Sequence, residues 1–181
     1  LTERLKELNC LYGISRIVQR QDLSFEEQLG QIAALIPSAF EFTDKACARI
    51  ILDDIRYGAG HGEPTPWRLH SPIVVRDRDV GLVEVWYREE CPPRDEGPFQ
   101  KEERDLLNTA AEMLGRFIMR KQTQDALAAS ERKYKTLFES LPQKISYKDA
   151  DLVYVSCNGD FARSFGLQPE QIVGKTDRDL F

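Results

Sequence analysis

Long apolar runs are absent from this chain. Of its 181 residues, 41% are hydrophobic and 30% charged, and nowhere do the roughly 20 apolar residues needed to cross a bilayer follow one another. Histidine is scarce, with two residues, and the four cysteines (Cys10, Cys47, Cys91 and Cys157) stand apart with no Cys-x-x-Cys pair. Such spacing excludes a zinc knuckle and a dense disulfide framework, and it suits a reducing cytoplasm. There is no excess of positive charge either. The formal net charge is -5 and the basic residues are interleaved with acids, the opposite of what a nucleic-acid backbone attracts. We therefore expect no nucleic-acid partner and no membrane contact within these residues. The opening Leu1-Thr2-Glu3-Arg4 has neither an initiator Met nor the apolar region of a signal peptide. An excised part of a larger protein is expected, with any membrane anchor lying outside it.

Catalytic signatures are missing too. No Gly-rich phosphate loop precedes a helix, and there is no Gly-x-Ser-x-Gly or similarly placed nucleophile and base. Asp53-Asp54, Glu89-Glu90 and Glu102-Glu103 are adjacent carboxylates; neighbours in sequence point in different directions and make poor acid/base pairs, so they read as solvated charge. His61, His70 and Cys91 are the one group resembling soft metal ligands, but their spacing fits no standard zinc pattern. Cys91-Pro92 is a dipeptide of the kind associated with haem sensing, and a turn stiffened by Pro92 and Pro93 explains the same residues. No catalytic residue, metal or cofactor is assigned.

The pattern that is present alternates helix and strand. Leu5, Leu8, Leu11, Tyr12, Ser15 and Val18 recur at steps of three and four and predict an amphipathic helix with that face inward. Asp22 or Ser24 caps a second helix, since Glu27 follows Ser24 by three, and Phe25, Leu29, Ile32, Ala33 and Ile36 form its stripe up to about Pro37. Ala46 to Asp53 reads as a buried strand. The Gly- and Pro-rich stretch from Gly58 to Pro66 reads as loop. Trp67 to Val75 and Val80 to Tyr87 read as a strand pair joined by Arg76-Asp77-Arg78-Asp79, with Gly81 at or just after the turn.

From Gln100 to Ser140 there is no Pro and a single Gly, Gly115, which predicts one long helix or two nearly collinear ones. At the helical rise it would extend about 60 Å, too far for a small domain to cover one face, so part must be linker. Leu107, Ala111, Leu114 and Ile118 form a stripe suited to a sheet. A looser heptad runs alongside, with Leu106, Met113, Leu127 and Tyr134 at one position and Ala110, Phe117 and Phe138 at the other. Arg120, Gln124 and Glu131 interrupt it. The pattern is that of a marginal parallel coiled coil. Beyond Pro142, Lys144 to Tyr147 and Leu152 to Val155 predict a hairpin turning at Asp149-Ala150-Asp151. Asn158 caps a short helix with Phe161, Phe165 and Leu167, Gly166 ends it, and Pro169-Glu170-Gln171-Ile172 opens another before Gly174.

The order of elements from about Leu5 to Arg120 resembles that of GAF domains. Leu5-Lys6-Glu7-Leu8-Asn9-Cys10-Leu11-Tyr12, Ser71-Pro72-Ile73 and Gly81-Leu82-Val83-Glu84-Val85 look like segments of GAF modules in bacterial sensor kinases. The resemblance implies a small-molecule pocket between the sheet and elements inserted between its middle strands. Here only about a dozen residues, Ile55 to Pro66, fill that insertion, short for a lid over a pocket of the usual size. This argues against cyclic-nucleotide binding and bilin attachment. Candidate pocket walls are Phe40, Phe42, Ile51, Tyr57, Trp67, Val83 and Trp86, each of which core packing also explains.

Ser130-Glu131-Arg132-Lys133-Tyr134-Lys135-Thr136-Leu137-Phe138-Glu139-Ser140 is similar to the helix that enters a PAS domain. It is followed by Asn158-x-x-Phe161, Phe165-Gly166 and the run Ile172-Val173-Gly174-Lys175-Thr176-Asp177-Arg178-Asp179-Leu180-Phe181, which resemble the PAS segment before its connecting helix. The expected fold is α+β: a GAF-like antiparallel sheet flanked by helices (residues 1–120), a helical signalling linker (121–141) and the N-terminal part of a PAS domain (142–181), left incomplete. Tyr147, Phe161 and Phe165 would line the PAS side.

These resemblances imply the sensory region of a signal-transduction protein, foremost a two-component sensor histidine kinase, with a homodimer through the long helix. Leu106, Met113, Phe117, Arg120, Gln124 and Leu127 are the candidate signalling residues, acting as a switchable linker or as a passive spacer. The same modules also serve cyclic-dinucleotide enzymes and transcriptional regulators. A third reading, a small metal-dependent enzyme, would need His61, His70 and Cys91 to converge.

Overall fold

The computed structural model describes residues 2–58 and 64–180, with side chains from Arg4 onward. The fold is α+β, and the chain divides into two compact units, Leu1–Gln122 and Thr123–Phe181. The first contains α1 (Thr2–Gln19), α2 (Phe25–Leu35), a 3-10 turn (Ile36–Ala39) and the strands β1 (Ala46–Leu52), β2 (Ile55–Tyr57), β3 (Arg68–Val75) and β4 (Arg78–Tyr87). Helix α3 (Lys101–Ser140) follows, and its residues up to Gln122 belong to this unit.

The four strands form one antiparallel sheet in the order β2-β1-β4-β3. Strict alternation places Ala46, Ala48, Ile50 and Leu52 of β1 and Leu69, Ser71, Ile73 and Val75 of β3 on the buried face. Against that face pack Leu29, Ile32, Ala33 and Ile36, and from α3 Leu107, Ala111, Leu114 and Ile118. Both predicted stripes are thus buried. Each such Leu or Ile contributes about 1.5–3 kcal/mol by leaving water.

Capping follows the sequence closely at α2. Ser24 Oγ accepts the Glu27 amide at 3.1 Å and the Glu27 carboxylate accepts the Ser24 amide at 2.7 Å, a reciprocal capping box. Buried Gln28 then donates to the carbonyls of Ile17 and Arg20, closing the end of α1, whose last carbonyls have no partner within the helix.

Four features depart from or add to what the sequence predicts. The inward face of α1 is Cys10 and Ile14, with Leu11, Ile17 and Val18 packed beside them, while Leu5, Leu8 and Tyr12 are exposed. This helix is apolar on two faces, and the three-four spacing alone picked a face that lies partly outside the core. Ile55 to Tyr57 is a strand paired with β1; its tight turn uses Asp53 and Asp54 at φ 46° and 65°, a left-handed pair for which Asp is among the tolerated residues. The connection between β3 and β4 is likewise shorter than the predicted four residues, turning at Arg76 and Asp77, φ 51° and 59°. Gly81 lies within β4 opposite Leu52 and Ile73. A Cβ there would fall 2.0 Å from the Ile51 carbonyl oxygen, so glycine is required by close approach of strands, not by a turn.

In the second unit the helix gives way to β5 (Ser146–Lys148) and β6 (Tyr154–Cys157), an antiparallel pair, then α4 (Gly159–Arg163), α5 (Pro169–Ile172) and α6 (Asp177–Leu180). The strands sit one or two residues later than predicted. Their core is small: Tyr154, Cys157, Ala162 and Ile172 are buried, with Phe161, Phe165, Leu167 and Leu180 partly so. None of the described helices is long and apolar enough to cross a membrane.

Candidate functional site

In the first unit, the sheet separates the residues proposed as a pocket wall. Val83 belongs to the buried face, and Phe42 and Tyr57 pack against that core, Phe42 edge-on to Tyr87 at 5.5 Å between ring centroids. Phe40 is buried there as well, edge-on to Phe99. Ile51 and Trp86 lie on the opposite face. There Cys47 pairs with Trp86 and Arg49 with Glu84. Arg49 Nε donates to Glu84 Oε2 at 2.7 Å and its guanidinium sits 5.4 Å from the Trp86 ring centre. Trp86 is only 1% exposed. Trp67 is half-buried just before β3, its carbonyl accepting the Tyr87 amide. The seven candidates therefore do not share one wall.

The start of α3 is anchored by a buried carboxylate. Glu103 Oε1 accepts the Glu41 amide at 2.7 Å and the Tyr87 hydroxyl at 3.0 Å, and Oε2 accepts the Gln100 amide at 2.8 Å. Burial raises its pKa above the usual carboxylate value, opposed by these three hydrogen bonds. Glu41 is held lower than usual, first by Arg94 and also by Gln100. Burial also raises Tyr87. Further along, the Ser71 hydroxyl meets Asn108 Oδ1 at 2.9 Å and Arg104 donates to the His70 carbonyl at 2.6 Å, which fastens α3 to β3. At Gly115 a Cβ would come 2.4 Å from the Val74 carbonyl oxygen, so the one glycine of α3 marks its closest approach to the sheet. A groove of about 260 Å³ opens beside it, lined by Pro72, Val74, Arg76, Glu112, Arg116 and Met119 among others.

The six signalling residues divide along the helix. Leu106 and Phe117 are buried in the first unit's core, and Met113 packs against it. Arg120 donates to the Val18 carbonyl at 2.9 Å and lies over the Phe117 ring, so it ties α1 to α3. Gln124 and Leu127 are exposed. Only the part beyond Gln122 has its heptad positions uncovered within its own unit. Leu127 is 62% and Tyr134 66% exposed, seven residues apart. Tyr134 stacks on Phe138, and both help line a groove of about 510 Å³ with Cys157, Pro169 and Val173.

The second unit holds two polar clusters. Asn158 caps α4 as expected, accepting the Phe161 amide, and makes three further hydrogen bonds. Lys148 Nζ contacts both Asp177 oxygens at 2.6 and 2.7 Å and lies 4.3 Å from the Tyr154 ring centre; the Tyr154 hydroxyl donates to Asp177 at 2.7 Å. This pins α6 to the strand pair. Lys148 and Tyr154 together hold Asp177 below the usual carboxylate range. Tyr147 is exposed, whereas Phe161 and Phe165 face the small core.

Among the described residues no group of three or more His, Cys, Asp or Glu side chains is placed to hold a metal. His61 lies outside the described residues, His70 is exposed on β3, and Cys91 is buried after β4. Glu103 corrects the reading of Glu102-Glu103 as solvated charge: it is buried, because its carboxylate is taken up by the Glu41 and Gln100 amides and the Tyr87 hydroxyl. Its signal is the Gln100-x-x-Glu103 spacing, a capping pattern at the predicted helix start.

A family model for the PAS fold matches residues 138–181. The match covers the end of α3 and all of β5 to α6, and it bears out the PAS resemblance over those residues. It leaves the first unit untouched. None of the curated proteins matches the chain.

Proposed function

We propose that the chain is the sensory and relay region of a bacterial signal-transduction protein, in which a GAF-like unit and a PAS unit are coupled through α3 in a parallel homodimer. The observation that carries this reading is the junction itself. A 40-residue helix leads directly into a PAS-fold segment. Its residues beyond Gln122 keep apolar Leu127 and Tyr134 at heptad spacing in the open, where an unpaired apolar side chain gains by meeting a second helix.

Polar Gln124 and Glu131 at the intervening seam positions weaken such a pair. They would keep alternative registers close in energy, as a switch requires. A PAS fold is consistent with a sensing or signalling role; the histidine kinase output and the cytoplasmic setting extend that reading to the parent protein. Light scattering on this chain at high micromolar concentration tests the dimer: a mass of two chains is expected, and a monomer at that concentration would contradict the proposal.

A further inference from the structure

Helix α3 ends at Ser140, two residues before Pro142, and a helix end leaves its last carbonyls without internal donors. Ser140 Oγ donates to the Leu137 carbonyl at 3.1 Å. The next carbonyl, that of Phe138, accepts Asn158 Nδ2 at 3.3 Å, and the same amide nitrogen donates to Gln143 O at 2.6 Å. In return, the carboxylate of Glu139 accepts the amide of Gly159, the first residue of α4, at 2.9 Å. Each helix end supplies a cap for the other.

Asn158 is wholly buried, at 0% exposure, and its hydrogen-bonding capacity is used in full. Oδ1 accepts the amides of Ile145 and Phe161, both at 3.0 Å, and Nδ2 spends its two protons on the end of α3 and the connection after it. Capping α4 needs the oxygen alone. The two donors directed at Phe138 and Gln143 are surplus to that task, and they bind a different element.

We infer that Asn158 and Glu139 form a joint that makes the last turn of α3 and helix α4 one cooperative body. A displacement of α3 then reaches the second unit's core at Ala162, instead of being absorbed in residues 141–145. Ala162 is fully buried and its amide bonds the Asn158 carbonyl at 3.1 Å. The consequence for signalling rests on the relay reading above; the joint itself does not.

Amide hydrogen exchange on the full chain tests it. In the unaltered protein, the amides of residues 138–140 and of α4 should open together, with similar protection. Asn158→Asp keeps the acceptors for Ile145 and Phe161 and removes both donors. It should speed exchange at residues 138–140 by about tenfold or more while the strand pair β5–β6 changes little. Glu139→Ala should act on the same residues, and the double variant should be no faster than the faster single one. Glu139→Gln, which retains an acceptor, gives a smaller shift in the same direction should the Asn158 variant fail to fold. Unchanged exchange at 138–140, uniform acceleration across the whole second unit, or additive effects would each overturn the joint. A monomeric chain would sink the relay reading and leave these rates unaltered.

Discussion

Leu107 and Leu127 belong to the same helix and meet opposite environments. Leu107 is fully buried against the sheet, whereas Leu127 is 62% exposed. The first half of α3 is held by apolar packing on both its stripes, by Glu103 at its start and by the Ser71–Asn108 contact along its side. In the second half, every residue from Thr123 to Leu137 is exposed. One helical sequence thus serves a domain core and then, by our proposal, a partner. The difference teaches that a heptad pattern read straight through a helix merges two kinds of burial. Leu106, Ala110 and Phe117 fit the seam in sequence but are already consumed by their own unit's core.

The largest effect expected from this contrast comes from cutting the two leucines to the same size. Leu107→Ala should destabilise the first unit by about 2–5 kcal/mol, since it opens a cavity at a site closed by sheet and helix. Leu127→Ala should change that unit's stability by less than about 0.5 kcal/mol while weakening self-association. Thermal unfolding followed alongside sedimentation separates the two readouts. Equal losses of stability would break the contrast.

A smaller and pH-dependent effect is expected at the start of the helix. Burial raises Glu103 above its ordinary value of 4.5, so the folded state holds the proton more tightly than the unfolded one. The stability this contributes is complete below about pH 4.5 and is lost as pH rises through the raised value. Glu103→Gln should remove that slope from the first unit's stability profile, at a baseline cost, because the amide cannot accept all three donors. Glu41, held low by Arg94 and Gln100, works in the opposite direction: its contribution is lost as pH falls. A chemical-denaturation series from pH 4 to 8 would show whether the Glu103 slope vanishes alone.

Much of this architecture was legible from spacing and turn chemistry. The Ser24-x-x-Glu27 box, the alternation of β1 and β3, the unbroken run of α3 and the Asn158 cap are local signals, and each appears where the residues place it. What could not be read depends on which surfaces meet. Two apolar faces on α1 gave no ground for choosing Cys10 and Ile14 over Leu5, Leu8 and Tyr12. Strand β2 was hidden by its three-residue length and by a turn built from Asp53-Asp54 without glycine. Gly81 has a turn-like identity but a strand position, set by the Ile51 carbonyl from another segment. For the site, Asn158 was visible as a cap. Its ties to Phe138 and Gln143, the Glu103 anchor and the Lys148–Asp177–Tyr154 cluster all join residues that only the fold brings together.

The central claim is that the second half of α3 meets its counterpart in parallel, with Leu127 on the seam. Oxidative cross-linking of Leu127→Cys in a Cys47→Ser background tests it most directly, because Cys10, Cys91 and Cys157 are buried. A parallel pair brings the two introduced thiols together, whereas Ala129→Cys two positions away points outward. A covalent dimer from the first variant and little from the second is the predicted result. Equal cross-linking from both, or none from either, would contradict it.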